Sequence, residues 1–325
     1  MKNKKITLIL ALLIILISCI SIFVGAYDVS ISELLNGDST QAIVMINSRL
    51  PRLLALLCTG FGMSVAGLLM QNLTMNKFVS PTTGATISSA QLGIIIGIAI
   101  FPTASLGLRT MFAFAFSMIG TWIFVAFIQS IKMKDVIMVP LIGIMFNSVI
   151  GGISSHIAFE NDLSQILSNL LVGDFSLILS GRYEIVFLIL PLVVVAFYYA
   201  NHFNIVGMGE NFSKNLGVNY NFIMFLGLTI SALISASVVV TVGTISYIGL
   251  IIPNIVSMFK GDKIKNNLID VALSGALFIL ICDIIGRVII RPFELPIALI
   301  VGVIGSFVFL ILLFYKLSNK KKVGA

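Results

Sequence analysis

The sequence predicts an all-α integral membrane protein with about ten transmembrane helices, and three observations support this. Of its 325 residues, 58% are hydrophobic and only 10% are charged, whereas soluble domains carry about 25% charged residues. The mean hydropathy is +1.12. Ten membrane-crossing helices of roughly 20 residues each leave connections that are too short for a separate soluble domain. A soluble enzyme is therefore excluded.

The apolar runs define one polytopic domain over residues 1–325. The ten predicted spans are residues 6–25, 53–71, 84–101, 108–130, 136–156, 184–200, 221–242, 245–259, 268–290 and 296–315. The first run follows Lys2, Lys4 and Lys5 and is longer than the apolar core of a signal peptide, so we expect an uncleaved span. The run 245–259 is short and contains Pro253, which a span tolerates where neighbours satisfy the freed backbone groups.

The basic residues orient these spans. An even number of spans places both termini on one side, and all fourteen lysines fall in the segments predicted to share that side. Because inner segments are enriched in positive charge, we expect both termini to be cytoplasmic. The six arginines fall in the outer segments: Arg49, Arg52, Arg109, Arg182, Arg287 and Arg291.

The outer arginines need a separate explanation, because positive charge is disfavoured on that side. Arginine suits bidentate pairing with carboxylates, so one hypothesis is a docking surface for an acidic partner. The other is pairing within the chain, since Asp283 and Arg287 lie four residues apart on one helix face. Both remain open for Arg287. For Arg49 and Arg52 we favour docking, because no acidic residue lies close by in sequence.

The chain shows no pattern for catalysis or metal binding. Gly207–Glu210 contains glycines but lacks the lysine and hydroxyl of a phosphate loop, so we expect no ATPase site. His156 and His202 fall near opposite membrane faces, and the three cysteines are scattered, so no metal or cofactor is expected. Only Asp283 lies plainly inside a span, where Arg287 can neutralise it, which argues against a proton-coupled carrier or cation channel.

The cytoplasmic connection 201–220 contains a short amphipathic pattern. Glu210 and Lys214 can pair across one helical turn, while Gly217 is suited to end a helix. Its apolar residues are Phe212, Leu216 and Val218. Such a helix either lies at the membrane interface or fits a partner's groove.

Two outer connections, 26–52 and 157–183, are also long. The first contains a helical pattern at Ile31–Leu35, and the second contains apolar residues at helical spacing within Ile166–Leu171. That second stretch is predicted to lie along or dip into the bilayer surface.

The spans are rich in small and weakly polar residues. These favour close helix packing, but together they also suit a wide path for a bulky ligand with masked charge. Our candidates for such a path are Ser64, Gln71, Asn147 and Ser148.

Several motifs together resemble the FecCD family of ABC-importer permeases. They are Arg49–Arg52, Gly60–Gln71, Asn76–Pro81, Leu216–Val218, Gly249–Asn254, Asp283–Arg287 and Glu294–Pro296. The resemblance extends from about residue 45 to 315. It departs from the family at Asn254, where histidine is usual, and at Asn76–Phe78, which often reads Asn-Pro-Leu.

The resemblance implies a type II importer permease in the bacterial cytoplasmic membrane. It implies a second permease copy or paralogue, two cytoplasmic ATPase subunits that use ATP and Mg, and an external binding protein. The family imports iron–siderophores, haem and cobalamin. The run Lys77–Thr83 looks like the catecholate-siderophore branch, so ferric siderophore is the leading expectation and haem or cobalamin the alternative. A gradient-driven carrier or channel is the alternative of another class.

The resemblance also implies roles for particular residues. The family's external arginines, which pair with acidic residues of the binding protein, match Arg49, Arg52 and Arg287. The family's coupling helix, which sits in the ATPase groove, matches Gly209, Glu210, Phe212, Leu216, Gly217 and Val218.

Overall fold

The computed structural model describes residues 2–25, 39–131, 138–181 and 183–323, and these are helical without any strand. The long and short helices are α1 (Lys2–Phe23), α2 (Ser39–Val44), α3 (Leu50–Leu73), α4 (Thr86–Ile100), α5 (Leu106–Ser130), α6 (Met138–Glu160), α7 (Ser164–Leu171), α8 (Ile189–Tyr198), α9 (Ala200–Val206), α10 (Glu210–Asn215), α11 (Tyr220–Thr241), α12 (Ile248–Lys260), α13 (Ile264–Val288) and α14 (Ile297–Val323). A π-helical turn, Met45–Arg49, joins α2 to α3, and a 3₁₀ turn, Glu184–Leu188, precedes α8.

Every predicted span coincides with a helix, although several boundaries differ. Among the described residues, six helices are long and apolar enough to cross a membrane by themselves. They are Lys5–Phe23, Gln41–Leu73, Leu106–Ser130, Met138–Glu160, Tyr220–Thr241 and Ile264–Val288. A seventh apolar unit is broken: Glu184–Tyr198 and Ala200–Val206 meet at an angle of 64°. The runs predicted at 84–101, 245–259 and 296–315 form shorter apolar helices, so the total of ten spans remains a prediction.

Helix α3 forms the centre of the bundle, where it packs against α11, α12 and α13. Within the apolar part of Gln41–Leu73 that could cross a membrane, 83% of the residues are buried inside the protein. A Cβ atom added to Gly60 would lie 2.4 Å from Ala276 Cα, and one added to Gly67 would lie 1.9 Å from Gly249 O. The glycines of α3 therefore allow backbone-to-backbone packing, which is the structural use of small residues in membrane helices.

The charged residues separate to opposite ends of the bundle. The lysine end carries the ion pairs Lys77–Asp262, Lys214–Glu210 and Lys260–Asp270. The other end, the arginine end, carries Arg49, Arg52, Arg109, Arg287 and Arg291 at helix termini or in the turn after α13. Thr7 Oγ1 donates to Asp270 Oδ1 at 2.6 Å, which places the start of α1 at the lysine end. The described lysines and arginines thus segregate as predicted, while the cytoplasmic identity of the lysine end remains a prediction.

The connection after α6 is packed onto the arginine end of the bundle. Leu167 of α7 is buried, so this short helix packs against the chain. The following segment is fastened by backbone hydrogen bonds: Asp174 N donates to Val242 O at 3.0 Å, and Ser180 N to Asn47 O at 3.1 Å. The predicted helical pattern at residues 31–35 and the outer residue Arg182 lie outside the described residues.

Candidate functional site

The first turn of α3 places Arg52 between two acidic residues that are remote in sequence. Its Nη2 and Nε lie 2.7 Å and 3.2 Å from Asp283 Oδ1, and its Nη1 lies 2.6 Å from Glu294 Oε2. Asp283 belongs to α13 and Glu294 to the turn that follows it. This bridge therefore joins the ends of α3 and α13 to the connection with α14.

Arg287 occupies the same cluster from the opposite side of Asp283. Its Nη2 forms an ion pair with Asp283 Oδ2 at 2.5 Å, without the angle of a hydrogen bond. The guanidinium also donates to Ser21 O at 2.8 Å and to Ser21 Oγ and Val24 O at 2.5 Å each. Arg49 donates to the same Val24 carbonyl. Both arginines therefore bind the last turn of α1, where they satisfy carbonyls that the helix leaves free.

The geometry shows how the three arginines are bound within the chain, while their docking role stays a prediction. Arg49 and Arg287 are only 8% and 2% exposed, so neither presents a guanidinium to an external protein in this structure. The pairing of Arg287 within the chain, which the i,i+4 spacing to Asp283 allowed, is the arrangement found. Arg52 reaches the surface slightly, with a side chain that is 11% exposed. Its carboxylate partners were missed because they lie 231 and 242 residues further along the chain.

The amphipathic segment of the connection 201–220 forms α10 at the lysine end. Lys214 and Glu210 form the predicted pair at 2.8 Å. Gly217 lies just beyond the end of this helix, and its φ of +72° is readily adopted only by glycine. Gly217 N donates to Lys214 O and Val218 N to Ser213 O, each at 3.0 Å, which is the Schellman arrangement of a helix end. The helical interpretation of this segment is confirmed.

An apolar ridge projects from this segment. Met208, Phe212 and Leu216 follow one another at intervals of four residues, and all three side chains are exposed. We call these three residues the apolar ridge. Ser213, by contrast, is fully buried and its hydroxyl donates to Ile205 O at 3.2 Å, which fixes α10 to α9. Val218 is half-buried and packs against the core, and its part in the ATPase contact stays a prediction.

Two of the four residues proposed for a translocation path are buried within the bundle. Ser64 is fully buried, and its hydroxyl donates to Gly60 O at 2.7 Å within α3. Gln71 is also buried, and its Nε2 donates to Gly249 O and Leu250 O at 3.1 Å each. Both side chains serve the packing of α3, so their assignment to a path is not supported by this structure.

The other two path candidates lie on α6. Asn147 is half-buried and braced, since its Nδ2 donates to Thr82 O at 2.8 Å and its Oδ1 accepts from Ser88 at 2.8 Å. Ser148, by contrast, is exposed, and it belongs to a surface of α6 whose residues are open within the part of the chain that the structure describes. Gly152, one turn further along, has no atom within 4 Å of an added Cβ.

The open surface of α6 extends from Leu141 to Phe159. Its exposed residues, apart from Ser148, are Leu141, Ile144, Met145, Val149, Gly152, Ile153, Ser155, His156 and Phe159. We call this surface the free face of α6. Of the path candidates predicted from the sequence, only Ser148 lies on the free face of α6. The spacing of apolar residues does not distinguish lipid-facing from partner-facing surfaces of a membrane helix.

The lysine end also contains a cavity of about 250 Å³ between α3, α12 and α13. Polar groups line much of it: Gln71, Asn72, Asn76, Lys77, Ser257, Asp262 and Asn267. Asn254, which departs from the resembled family, lies beside it and donates from Nδ2 to Lys77 O at 2.9 Å. Among the described residues, no group of three His, Cys, Asp or Glu side chains is arranged for a metal ion.

Comparison with known proteins covers almost the whole chain. Residues 12–315 match the family described as the FecCD transport family. The chain is 44% identical over 304 residues to the petrobactin import system permease protein YclN of Bacillus subtilis, covering 94% of this chain and 96% of that protein. It is 39% identical over 290 residues to the ferric-anguibactin transport system permease protein FatD of Vibrio anguillarum, covering 89% and 92%.

The fold also matches that of a solved structure. That structure is described as an inward-facing conformation of a metal-chelate type ABC transporter. The TM-score is 0.79 at 23% sequence identity, and the match covers 96% of this chain and 99% of the other. At this identity the likeness concerns the fold, which is that of a type II importer permease.

Proposed function

This chain belongs to the FecCD transport family, and we propose that it is the permease subunit of an ABC importer for ferric siderophores. The observation that carries the proposal is the 44% identity, over nearly the full length of both chains, to a petrobactin permease. The 39% identity to a ferric-anguibactin permease supports the same class of substrate. Within that class we favour a catecholate-type chelate, following the Lys77–Thr83 motif.

The apolar ridge is the proposed contact with a cytoplasmic ATPase subunit. Three exposed apolar side chains on and beside a short helix suit insertion into a groove. The Schellman end at Gly217 and the buried Ser213 hold this helix in a fixed orientation, so a movement of the ATPase would be transmitted to α9 and α11. ATP and Mg would be bound by two such partner subunits, and this chain would bind no cofactor.

The free face of α6 is the proposed wall of the translocation path. It carries Ser148, Gly152 and Ser155, which offer small volume and scattered hydrogen-bonding groups, as a bulky chelate requires. A second permease copy or a paralogue would supply the opposite wall. This proposal replaces Ser64 and Gln71, whose polar groups bond within the chain, and retains Ser148 from the sequence-based set.

At the arginine end, we propose that an external binding protein delivers the chelate. Of the three arginines expected to contact it, only Arg52 keeps a partly exposed side chain. We therefore assign Arg49 and Arg287 to the positioning of α1 against α3 and α13. In a bacterial cytoplasmic membrane, this end would face outwards and the lysine end would face the cytoplasm.

Uptake of iron-labelled chelates tests the proposed substrate class. Iron-starved bacterial cells lacking their own siderophore permeases would express this chain with its ATPase and binding protein, and would be given radiolabelled ferric catecholate, haem or cobalamin. We expect accumulation of the ferric catecholate, and we expect it to stop when the ATPase is inactivated. Import of haem or cobalamin alone would contradict the siderophore assignment. Uptake that persists without an active ATPase but stops on collapse of the proton gradient would favour a carrier.

The ridge is tested by substitutions on α10 and at the residue that follows it. Phe212→Asp or Leu216→Asp places a charge in the proposed apolar contact, so we expect loss of ATPase co-purification and of uptake. Asn215→Asp is the matched control, because Asn215 is exposed on the same helix outside the ridge and should leave the ATPase bound. Normal co-purification of both ridge variants would contradict the coupling role. Val218 is unsuitable for this test, since its burial makes a charged substitution disruptive by itself.

A further inference from the structure

The cavity at the lysine end contains amide oxygens to which the protein supplies no donor. Its volume is about 250 Å³, whereas about 10–15 Å³ is enough to hold one water molecule, so it has room for a ligand of several atoms. Asn72 and Asn267 both line it, and the Oδ1 atom of each is buried without a hydrogen-bond partner among the described residues. Asn267 is only 1% exposed. A buried acceptor without a donor is unfavourable, so each oxygen would gain from a donor within a ligand.

Two of the amide groups in the cavity are held with their oxygens free. Gln71, which also lines the cavity, donates from Nε2 to two backbone carbonyls of α12 at 3.1 Å each. Asn267 Nδ2 donates to Gly261 O. Rotation of either amide would place its oxygen against a carbonyl oxygen, so each NH₂ group keeps its position. The oxygens of Gln71 and Asn267 are therefore fixed as acceptors, and Asn72 provides a third.

The charged groups of the cavity are paired with each other. Lys77 Nζ forms an ion pair with Asp262 and donates to Ser257 Oγ at 3.2 Å. The Asp262 side chain is 70% exposed and that of Lys77 is 38% exposed, so this pair lies at the mouth of the cavity. The interior therefore presents amide acceptors, and a carboxylate lies where the cavity meets the solvent.

Apolar side chains complete the wall of the cavity, namely Leu68, Met75 and Pro253. An anion is disfavoured beside amide oxygens. A metal ion such as Mg²⁺ or Ca²⁺ takes about six or more oxygen ligands and gains nothing from an apolar wall. A primary ammonium group has three N–H donors and no acceptor, and a short methylene chain suits the apolar wall.

We propose that the cavity at the lysine end binds a short aliphatic amine. The amide oxygens of Gln71, Asn72 and Asn267 accept the N–H groups of its primary ammonium, and its methylene groups contact the apolar wall. In a diamine, the second ammonium group pairs with Asp262. Gly207 also lines the cavity, at the start of the connection to α10, so the bound amine lies beside the segment that carries the apolar ridge.

This ligand is distinct from the transported chelate, because no residue of α6 and its free face lines the cavity. The undescribed connection between α5 and α6 joins two helices that do not line it either.

The test measures binding of butane-1,4-diamine to the detergent-purified full chain, by titration calorimetry and by the thermal midpoint at fixed pH and ionic strength. A ligand that binds only the folded state raises the midpoint as its concentration exceeds the Kd. We expect such a rise with butane-1,4-diamine and a smaller one with butan-1-amine. Butane-1,4-diol has a similar length without the charge, and we expect no rise with it or with potassium chloride.

Substitutions locate the bound amine. Asn72→Ala removes one acceptor and should raise the Kd of both amines about tenfold, and Ser257→Met should prevent binding by filling the cavity. Asp262→Asn should raise the Kd of the diamine several-fold and leave that of butan-1-amine unchanged, because only the diamine reaches the mouth. Glu160→Gln is the matched control, since it removes an exposed carboxylate at the arginine end, and it should change neither Kd.

Three results would overturn the proposal: no rise of the midpoint with either amine, an equal rise with potassium chloride, or the same Kd in the wild type, Asn72→Ala and Asp262→Asn. An unchanged elution volume without ligand shows that a variant is folded. If Ser257→Met does not fold, the separation of the two amines by Asp262→Asn still decides. Chelate uptake is not part of this test, so its failure leaves the proposed function standing, and a failure of uptake leaves the amine site standing.

Discussion

Replacement of Asp283 by asparagine tests the view that the arginine cluster is structural. Asp283 is 2% exposed and lies between Arg52 and Arg287. Asparagine keeps the shape of the side chain but removes its charge. Among the described residues, Arg52 would keep Glu294 as an acidic partner, whereas Arg287 would keep only its hydrogen bonds to Ser21 and Val24. Breaking a buried ion pair by removing one partner destabilises a protein by about 3–5 kcal/mol.

The matched control is Asp262→Asn. Asp262 pairs with Lys77 at the lysine end, where the two side chains are 70% and 38% exposed, and an exposed pair contributes about 0–1 kcal/mol. At about 2 °C or more per kcal/mol, we expect Asp283→Asn to lower the thermal midpoint by more than about 6 °C and the control by no more than about 2 °C. Both values require detergent-purified protein and one fixed scan rate, because unfolding of such proteins is often irreversible.

The comparison separates two roles for the cluster. If Arg287 were held free for an external partner, Asp283→Asn would leave the thermal midpoint near that of the wild type and alter only binding. A fall no greater than that of Asp262→Asn would therefore refute the structural role. The double variant Asp283→Asn with Arg287→Met should recover part of the lost stability, because it also removes one of the uncompensated charges.

Three further substitutions concern helix packing, two of them around α12 and one, as a control, on α6. Gly67→Ala places a methyl group 1.9 Å from Gly249 O, so α3 and α12 must separate and we expect about 1–3 kcal/mol or more of destabilisation. Gly152→Ala, on the free face of α6, meets nothing within 4 Å and should be neutral or stabilise by up to about 1 kcal/mol; equal thermal midpoints for the two variants would contradict this. Asn254→Leu removes the 2.9 Å bond to Lys77 O and should cost about 1 kcal/mol, measured as faster proteolysis at the lysine end.

Gly60 and Gly67 show what the composition of a span leaves open. Small residues in a span indicate either close helix packing or an open path, and the composition of α3 does not distinguish these two roles. The backbone of α13 lies against Gly60 and the backbone of α12 lies against Gly67, so both glycines serve close helix packing. In α6 the same kind of residue, Gly152, faces no neighbour, and the helix keeps a free face. The difference depends on which helices become neighbours, and the sequence of a single span does not specify its neighbours.

The sequence by itself determined the apolar helices, the separation of lysines from arginines and the amphipathic helix with its end at Gly217. Each depends on a local property: the apolar length that a bilayer requires, the charge of a connection, or the conformational freedom of glycine. Only the tertiary structure decided that Arg52 has carboxylate partners and that Arg287 is buried. These partners come from residues more than 200 positions away. A buried charge requires a partner, and the tertiary fold, not the local sequence, decides which residue becomes that partner.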